Sequence, residues 1–116
     1  MAKFQRSEDE RDYGKRQLSE QELQNTLANR LRDWRKSGNA LVRTFQFPDF
    51  KRAIEFVNQV AEKAEDIQHH PDLDIRYNKV TAVLTSHDAG GITRRDLMLA
   101  GYMQELAGSF ELPKSA

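Results

Sequence analysis

The feature that most restricts the fold of this 116-residue chain is a long amphipathic segment near its middle, which must bury one face against a second layer. Between residues 50 and 67, apolar side chains recur every three or four positions, as on one face of an α-helix. Asp49 is a suitable N-cap for this helix. Pro71 pushes the preceding residue away from the α region, so the helix should end near Gln68. The apolar stripe consists of Phe50, Ala53, Ile54, Val57, Val60, Ala61, Ala64 and Ile67.

Two more helices are indicated by capping boxes, in which an N-cap side chain and an acidic side chain three residues later satisfy free backbone amides. The candidate boxes are Ser19 with Glu22, ahead of a helix to about Leu31, and Thr93 with Asp96, ahead of a helix to about Leu106. Apolar residues support both helices: Leu18, Leu23, Leu27, Leu31 and Trp34 for the first, Ile92 and Leu97 for the second.

Two β-hairpins are predicted between the helices. Residues 36–39 have turn chemistry between the extended segments 33–36 and 40–47, and residues 73–85 are typical of a second strand pair. Alternate residues of a strand share a face. The first hairpin should therefore group Leu41, Phe45 and Phe47. The second should place Val80, Ala82 and Leu84 on one face, and Tyr77, Val83 and His87 on the other.

The order of elements is helix, two strands, helix, two strands, helix. This order predicts an α+β domain in which three helices cover one face of a four-stranded antiparallel sheet. We place the domain at residues 17–110. Residues 1–16 are rich in charge and lack apolar periodicity, so we expect a disordered tail there, and a second short tail at residues 111–116.

The composition excludes several classes of function. The chain has no cysteine, which removes disulfides, thiolate nucleophiles and zinc–thiolate sites. Its 18 basic and 18 acidic residues cancel, so no net charge attracts nucleic acid or an anionic membrane. No stretch approaches the roughly eighteen apolar residues of a transmembrane helix. We expect a cytoplasmic protein.

All three histidines, His69, His70 and His87, lie within nineteen positions. An unperturbed histidine titrates near pH 6.5, at about neutrality, and can both donate and accept a proton in general acid–base catalysis. Two other interpretations stay open. His69 and His70 could merely interact with the dipole at a helix C-terminus. A metal site is less favoured, because adjacent residues of an extended chain point to opposite sides.

The residues around the histidines also have structural explanations. Asp96 would stabilise its helix as the acidic member of a capping box, without any catalytic role. Glu65 resembles the solvated acids beside it on the long helix. Gly90-Gly91 lacks the flanking residues of a phosphate-binding motif and favours a tight turn. Trp34 and the phenylalanines favour a core position over ligand stacking.

Taken together, however, these residues resemble the motif of the pterin-4a-carbinolamine dehydratase family. Every position of that motif is filled, namely by Glu65, His69, His70, Pro71, Tyr77, His87 and Asp96. The likeness covers roughly residues 18–106, including the segments 44–47, 77–80 and 85–91. One departure is Leu73, which stands where family members often carry an aromatic residue. Residues 1–16 match nothing in the family.

The resemblance implies a cofactor-free enzyme that dehydrates 4a-hydroxytetrahydropterin to quinonoid dihydropterin, in the recycling of tetrahydrobiopterin. It implies that the three histidines are catalytic, with no metal, and that Glu65 and Asp96 orient them. Within this set we assign Asp96 to His87, in addition to its role as a helix cap. The pterin would contact His69, His70, Pro71, Tyr77 and His87.

A non-catalytic role is the alternative, because the same family includes members that bind a transcription factor or assist assembly of another complex. A protein partner would then use the helix surface or the N-terminal tail. The resemblance also implies a homodimer or homotetramer. Symmetric pairing would protect the edge strands of so small a sheet.

Overall fold

The computed structural model describes residues 16–110, which form three α-helices, four strands and one turn of 3-10 helix. The helices are α1 (Glu20–Asn29), α2 (Phe50–Ile67) and α3 (Arg94–Ala107). The strands are β1 (Arg35–Ser37), β2 (Ala40–Gln46), β3 (Asp72–Arg76) and β4 (Lys79–Leu84), and the 3-10 turn is His87–Ala89. This confirms the predicted α+β fold and its order of elements. The predicted tails, apart from Arg16, lie outside the described residues.

The four strands form one antiparallel sheet in the order β1-β2-β4-β3. The central pair joins β2 to β4, with Leu41 opposite Leu84 and Phe45 opposite Val80. These four side chains are fully buried, as is Ala82. The predicted apolar faces of both hairpins are therefore confirmed, and together they form the sheet side of the hydrophobic core.

All three helices contribute to the core that lies on this face of the sheet. Their buried residues include Leu23 and Leu27 of α1, Phe56 and Val60 of α2, and Leu99 and Met103 of α3. Both predicted capping boxes are present, at Ser19–Glu22 and Thr93–Asp96. No helix within residues 16–110 is long and apolar enough to cross a membrane.

The buried face of α2 differs in detail from the predicted stripe. Phe50 is 51% exposed and Ala61 is also exposed, whereas Phe56, which the stripe omitted, is fully buried. The Phe56 ring lies 4.9 Å from the rings of both Phe45 and Phe47. This aromatic cluster sets the rotation of α2 about its axis, because large rings dominate the burial of a small core.

The prediction that Tyr77 and His87 share a strand face with Val83 was wrong. Tyr77 lies in the turn between β3 and β4 with φ +53°, and His87 lies in the 3-10 turn after β4. The chain leaves the sheet after Leu84, because the next bridge joins Ser86 to Gly91 rather than to β2. Strand alternation therefore does not govern either residue.

Candidate active site

The candidate site forms where the C-terminus of α2, the end of β4 and the N-terminus of α3 meet. Helix α2 ends at Ile67 and is capped by Gln68, whose backbone is left-handed at φ 55° and ψ 45°. The His69 N–H then donates to Ala64 O over 3.0 Å, which closes the helix and turns the chain back over its last turn. This turn directs His69 into the domain and leaves His70 at the surface.

His69 and Asp96 form a buried pair at the centre of the site. His69 Nε2 lies 2.6 Å from Asp96 Oδ1, and the two side chains are 8% and 0% exposed. The other carboxylate oxygen, Oδ2, accepts from Ser86 Oγ at 2.8 Å and from the Thr93 N–H at 2.9 Å. A buried carboxylate requires such partners, because an unpaired buried charge costs several kcal/mol, on the order of a domain's whole stability.

This geometry selects the protonation pattern of the His69 ring. A carboxylate can only accept hydrogen bonds, so the short contact to Asp96 places a proton on His69 Nε2. When the imidazole is neutral, Nδ1 is then the basic nitrogen. Asp96 thus holds one tautomer of His69 in a buried environment, which is the arrangement that general acid–base catalysis uses to orient an imidazole.

Asp96 serves the helix and the histidine at the same time. Its Oδ2 completes the capping box of α3 through Thr93, as the sequence predicts. Its Oδ1, however, contacts His69 and not His87, which corrects the predicted partner. The correction follows from the backbone: His69 turns inward at the end of α2, while His87 is on an exposed turn.

His70 forms a second histidine–carboxylate pair, on the protein surface. Its Nε2 lies 2.5 Å from Glu65 Oε2, and the two side chains are 55% and 71% exposed. Exposed pairs of this kind contribute only about 0–1 kcal/mol to stability. The sequence prediction that Glu65 orients a histidine agrees with this contact, although the functional role of the pair stays a prediction.

His87 lies on the 3-10 turn between β4 and α3, next to Ser86 and exposed to solvent. The following residue, Asp88, accepts a 2.7 Å hydrogen bond from Arg95 of α3. This hydrogen bond is the main reason that the pKa of Asp88 lies below its ordinary value, and the positive charge of Arg95 acts in the same direction.

Pro71 and Tyr77, the two remaining predicted substrate contacts, lie at opposite ends of β3. Pro71 follows His70 directly and is partly buried beside it. Tyr77 is 67% exposed at the opposite end of β3, and a strand of five residues spans about 17 Å. Within one chain, therefore, Tyr77 is not part of the histidine cluster. The substrate-binding roles of the other residues stay predictions.

Sequence reasoning did not single out Ser86 or Arg95. Ser86 is 1% exposed and its hydroxyl lies between Asp96 Oδ2 and Thr93 Oγ1, at 2.8 Å from each. The only available signal was its position next to His87 in a segment that resembles the family. Arg95 precedes Asp96 directly, but nothing in the local pattern indicates its contact with Asp88.

Other concave regions and acidic clusters lie apart from these residues or lack suitable geometry. A groove of about 700 Å³ between the three helices contains none of the histidines or their carboxylate partners. Among residues 16–110, no group of three or more His, Asp or Glu side chains is arranged to hold a metal ion.

The site thus combines a buried histidine, which a carboxylate holds in place, with two histidines that are exposed to solvent. A family model for "Pterin 4 alpha carbinolamine dehydratase" matches residues 16–106. The chain belongs to this family.

The chain aligns with similar proteins over nearly the whole length of those proteins. A Thermomicrobium roseum protein named "Putative pterin-4-alpha-carbinolamine dehydratase" is 53% identical over 85 residues, which cover 71% of this chain and 91% of the relative. A protein of the same name from Koribacter versatilis is 48% identical over 89 residues, or 77% and 94% of the two chains.

Solved structures show the same fold. The crystal structure of a "transcriptional coactivator/pterin dehydratase" from Brucella melitensis has a TM-score of 0.76 and 36% identity, covering 79% of this chain and 99% of that one. A pterin dehydratase-like protein described as a RuBisCO assembly factor of the alpha-carboxysome has a TM-score of 0.54 and 20% identity. It covers 65% of this chain and 87% of that one, and shares the fold alone.

Proposed function

We propose that this protein dehydrates 4a-hydroxytetrahydropterin to quinonoid dihydropterin and water, in tetrahydrobiopterin recycling. The observation that carries the proposal is the buried His69–Asp96 pair at 2.6 Å beside the exposed His70 and His87. The substrate class is inferred from the family to which the chain belongs. The histidines support the proposal because imidazole groups can make the proton transfers that such a reaction needs.

The reaction breaks the C4a–oxygen bond, and its atoms balance with two proton transfers. One proton goes to the C4a hydroxyl, which leaves as water. Another leaves a ring nitrogen, and its bonding electrons form the new carbon–nitrogen double bond. An acid and a base must therefore reach neighbouring atoms of the pterin, and histidine can perform either role near neutral pH.

The difference in burial suggests that the three histidines have different roles. His70 and His87 are exposed, so a pterin lying over the site could contact both imidazoles. His69 is buried and is held by Asp96, which suits a group that orders the site and carries a defined tautomer. We assign the acid and base roles to His70 and His87 jointly, and leave their order unassigned.

The test is the rate of loss of 4a-hydroxytetrahydropterin, followed by ultraviolet absorbance, with purified wild-type protein and with His70→Ala and His87→Ala. Each variant should lower kcat/KM by roughly 10²- to 10⁴-fold, the range for lost acid–base groups. Because both side chains are exposed, far-ultraviolet circular dichroism and Tm should stay close to wild type. Wild-type rates in both variants would refute the proposed mechanism.

A non-catalytic role is the second candidate, because the Brucella melitensis relative is described as a transcriptional coactivator as well as a pterin dehydratase. The helix groove described above, or the N-terminal segment, would be the surface for a protein partner. Turnover by the isolated protein, without any partner, would favour the enzyme. Light scattering would test the expected homodimer or homotetramer.

A further inference from the structure

The turn that carries His87 belongs to a small closed loop. Ser86 N–H donates to Gly91 O at 2.9 Å, and Gly91 N–H donates back to Ser86 O at 3.2 Å. Inside this bridge, the amides of Ala89 and Gly90 donate to Ser86 O and His87 O at 3.0 and 3.1 Å. These backbone hydrogen bonds define the shape of residues 86–91, which we term the His87 loop.

The residues ahead of α1 lie against the His87 loop. Gln17 Nε2 donates a 3.0 Å hydrogen bond to Ala89 O, which is 72 positions away in sequence. The next residue, Leu18, donates its N–H to Ile92 O at 2.9 Å. Two consecutive residues therefore attach this segment to both the loop and the start of the connection to α3.

The two glycines of the loop provide the surface on which Gln17 lies. A Cβ atom at Gly91 would be only 3.0 Å from Gln17 Cδ and 3.1 Å from Oε1, and one at Gly90 would be 3.4 Å from Nε2. Gly90 also needs a left-handed backbone, with φ +76°. Gly91 does not have a left-handed backbone. Its lack of a side chain instead allows Gln17 to approach closely.

We propose that Gln17 is a positioning residue for His87: it holds the His87 loop in the conformation that presents the imidazole to substrate. The catalytic consequence rests on the dehydratase function proposed above, whereas the structural consequence does not. Acid–base groups lose effectiveness when they move by a fraction of an ångström to one ångström, so a loop that carries one must be held in place.

The first experiment tests the structural consequence in the full chain. Gln17→Met keeps the length and aliphatic contact of the side chain but removes the donor to Ala89 O. Gln24→Met, at an α1 glutamine that bonds only to Glu20 among the described residues, is the matched control. We expect amide hydrogen exchange at Gly90 and Gly91 to rise roughly two- to tenfold in Gln17→Met, the effect of one hydrogen bond.

The histidine ring provides a second structural measurement. The chain has three histidines, so its imidazole C–H signals are few and can be assigned with the His→Ala variants. Gln17→Met should move the His87 signal more than the His69 signal. Unchanged exchange at Gly90 and Gly91, together with an unchanged His87 signal, would overturn the proposal.

A double-mutant cycle separates Gln17 from general effects on the loop. Gly91→Ala should displace the wild-type Gln17 side chain and loosen the loop, whereas in a Gln17→Ala background the added methyl meets no such obstacle. The two substitutions should therefore be less than additive in amide exchange. Full additivity would show that Gln17 and Gly91 act independently, and would contradict the proposal.

The catalytic consequence is tested by kinetics. Gln17→Met should lower kcat roughly two- to tenfold and change KM less than about twofold, because proton transfer depends more steeply on the position of His87 than substrate contact does. Faster exchange with an unchanged kcat would show that the loop position does not matter for turnover, and would overturn the catalytic part. If wild-type protein lacks dehydratase activity, the proposed function fails, while the exchange and imidazole measurements still decide whether Gln17 positions His87.

Discussion

Asp96 accepts a 2.6 Å hydrogen bond from His69 through one oxygen and caps α3 through the other, with its side chain completely buried. A single carboxylate therefore couples the start of a helix to the orientation of the buried histidine of the candidate site. Stability and activity should depend on it together, which distinguishes Asp96 from the exposed residues of the site.

Replacing Asp96 with alanine should destabilise the domain strongly. The substitution leaves His69, Ser86 and the Thr93 amide without their common partner, and each buried donor that is left unsatisfied costs about 1–3 kcal/mol. Urea unfolding followed by circular dichroism measures the loss. The control is Asp66→Ala at an exposed position of α2, which should change stability by no more than about 0.5 kcal/mol. Equal effects of the two variants would contradict the role assigned to Asp96.

Replacing Glu65 with glutamine should affect activity while leaving stability nearly unchanged. The Glu65–His70 pair is exposed, so its loss should cost at most about 1 kcal/mol and slow turnover by at most about fivefold. Steady-state kinetics over a range of pH, compared with thermal unfolding, separates the two effects. Glu62→Gln, at an exposed position of the same helix, is the control and should match wild type in both measurements.

Replacing Arg95 with methionine should raise the pKa of Asp88 towards the ordinary aspartate value of about 3.9. In the wild-type protein, the Arg95 hydrogen bond lowers that pKa. The associated stabilisation is therefore complete above the unfolded-state pKa and is lost as pH falls through the lower, folded-state pKa. Carboxyl carbon NMR during acid titration measures the shift. The control is Arg76→Met, at an exposed arginine that pairs with Asp74, which should leave the pKa of Asp88 unchanged.

Two phenylalanines of α2 offer a matched test of the core. Phe56→Ala should cost about 3–5 kcal/mol, because its ring is fully buried against Phe45 and Phe47. Phe50→Ala removes the same group from a position that is 51% exposed, and should cost much less. Denaturant unfolding of both variants makes the comparison. A larger loss for Phe50→Ala would contradict the orientation of α2.

The sequence predicts most of the fold because the signals are local. The capping boxes at Ser19 and Thr93 depend on residues three positions apart, and the inner faces of β2 and β4 follow from strand alternation. The orientation of α2 is less well predicted. Its apolar stripe is broad, so several rotations of the helix about its axis would bury apolar residues. The aromatic cluster around Phe56 selects one of these rotations.

For the candidate site, the sequence predicts which residues take part but not how they are arranged in space. By resemblance, the sequence identifies the three histidines together with Glu65 and Asp96, and its local chemistry shows that they suit proton transfer. It also places Tyr77 among them, although the turn that holds Tyr77 is at the far end of β3. Spacing along the chain does not reveal that an extended strand separates the residue after it from the residues before it.

What the sequence determined by itself is the set of helices, the inner faces of the strands and the residue types available for chemistry, because each depends on neighbours within a few positions. Only the tertiary structure decided that Asp96 contacts His69, that Arg95 contacts Asp88 and that Gln17 covers Gly91. These contacts depend on how separate elements meet: the α2 C-terminus, the β4 end, the α3 start and the segment before α1. A side chain's partner there is set by backbone geometry that no local pattern encodes.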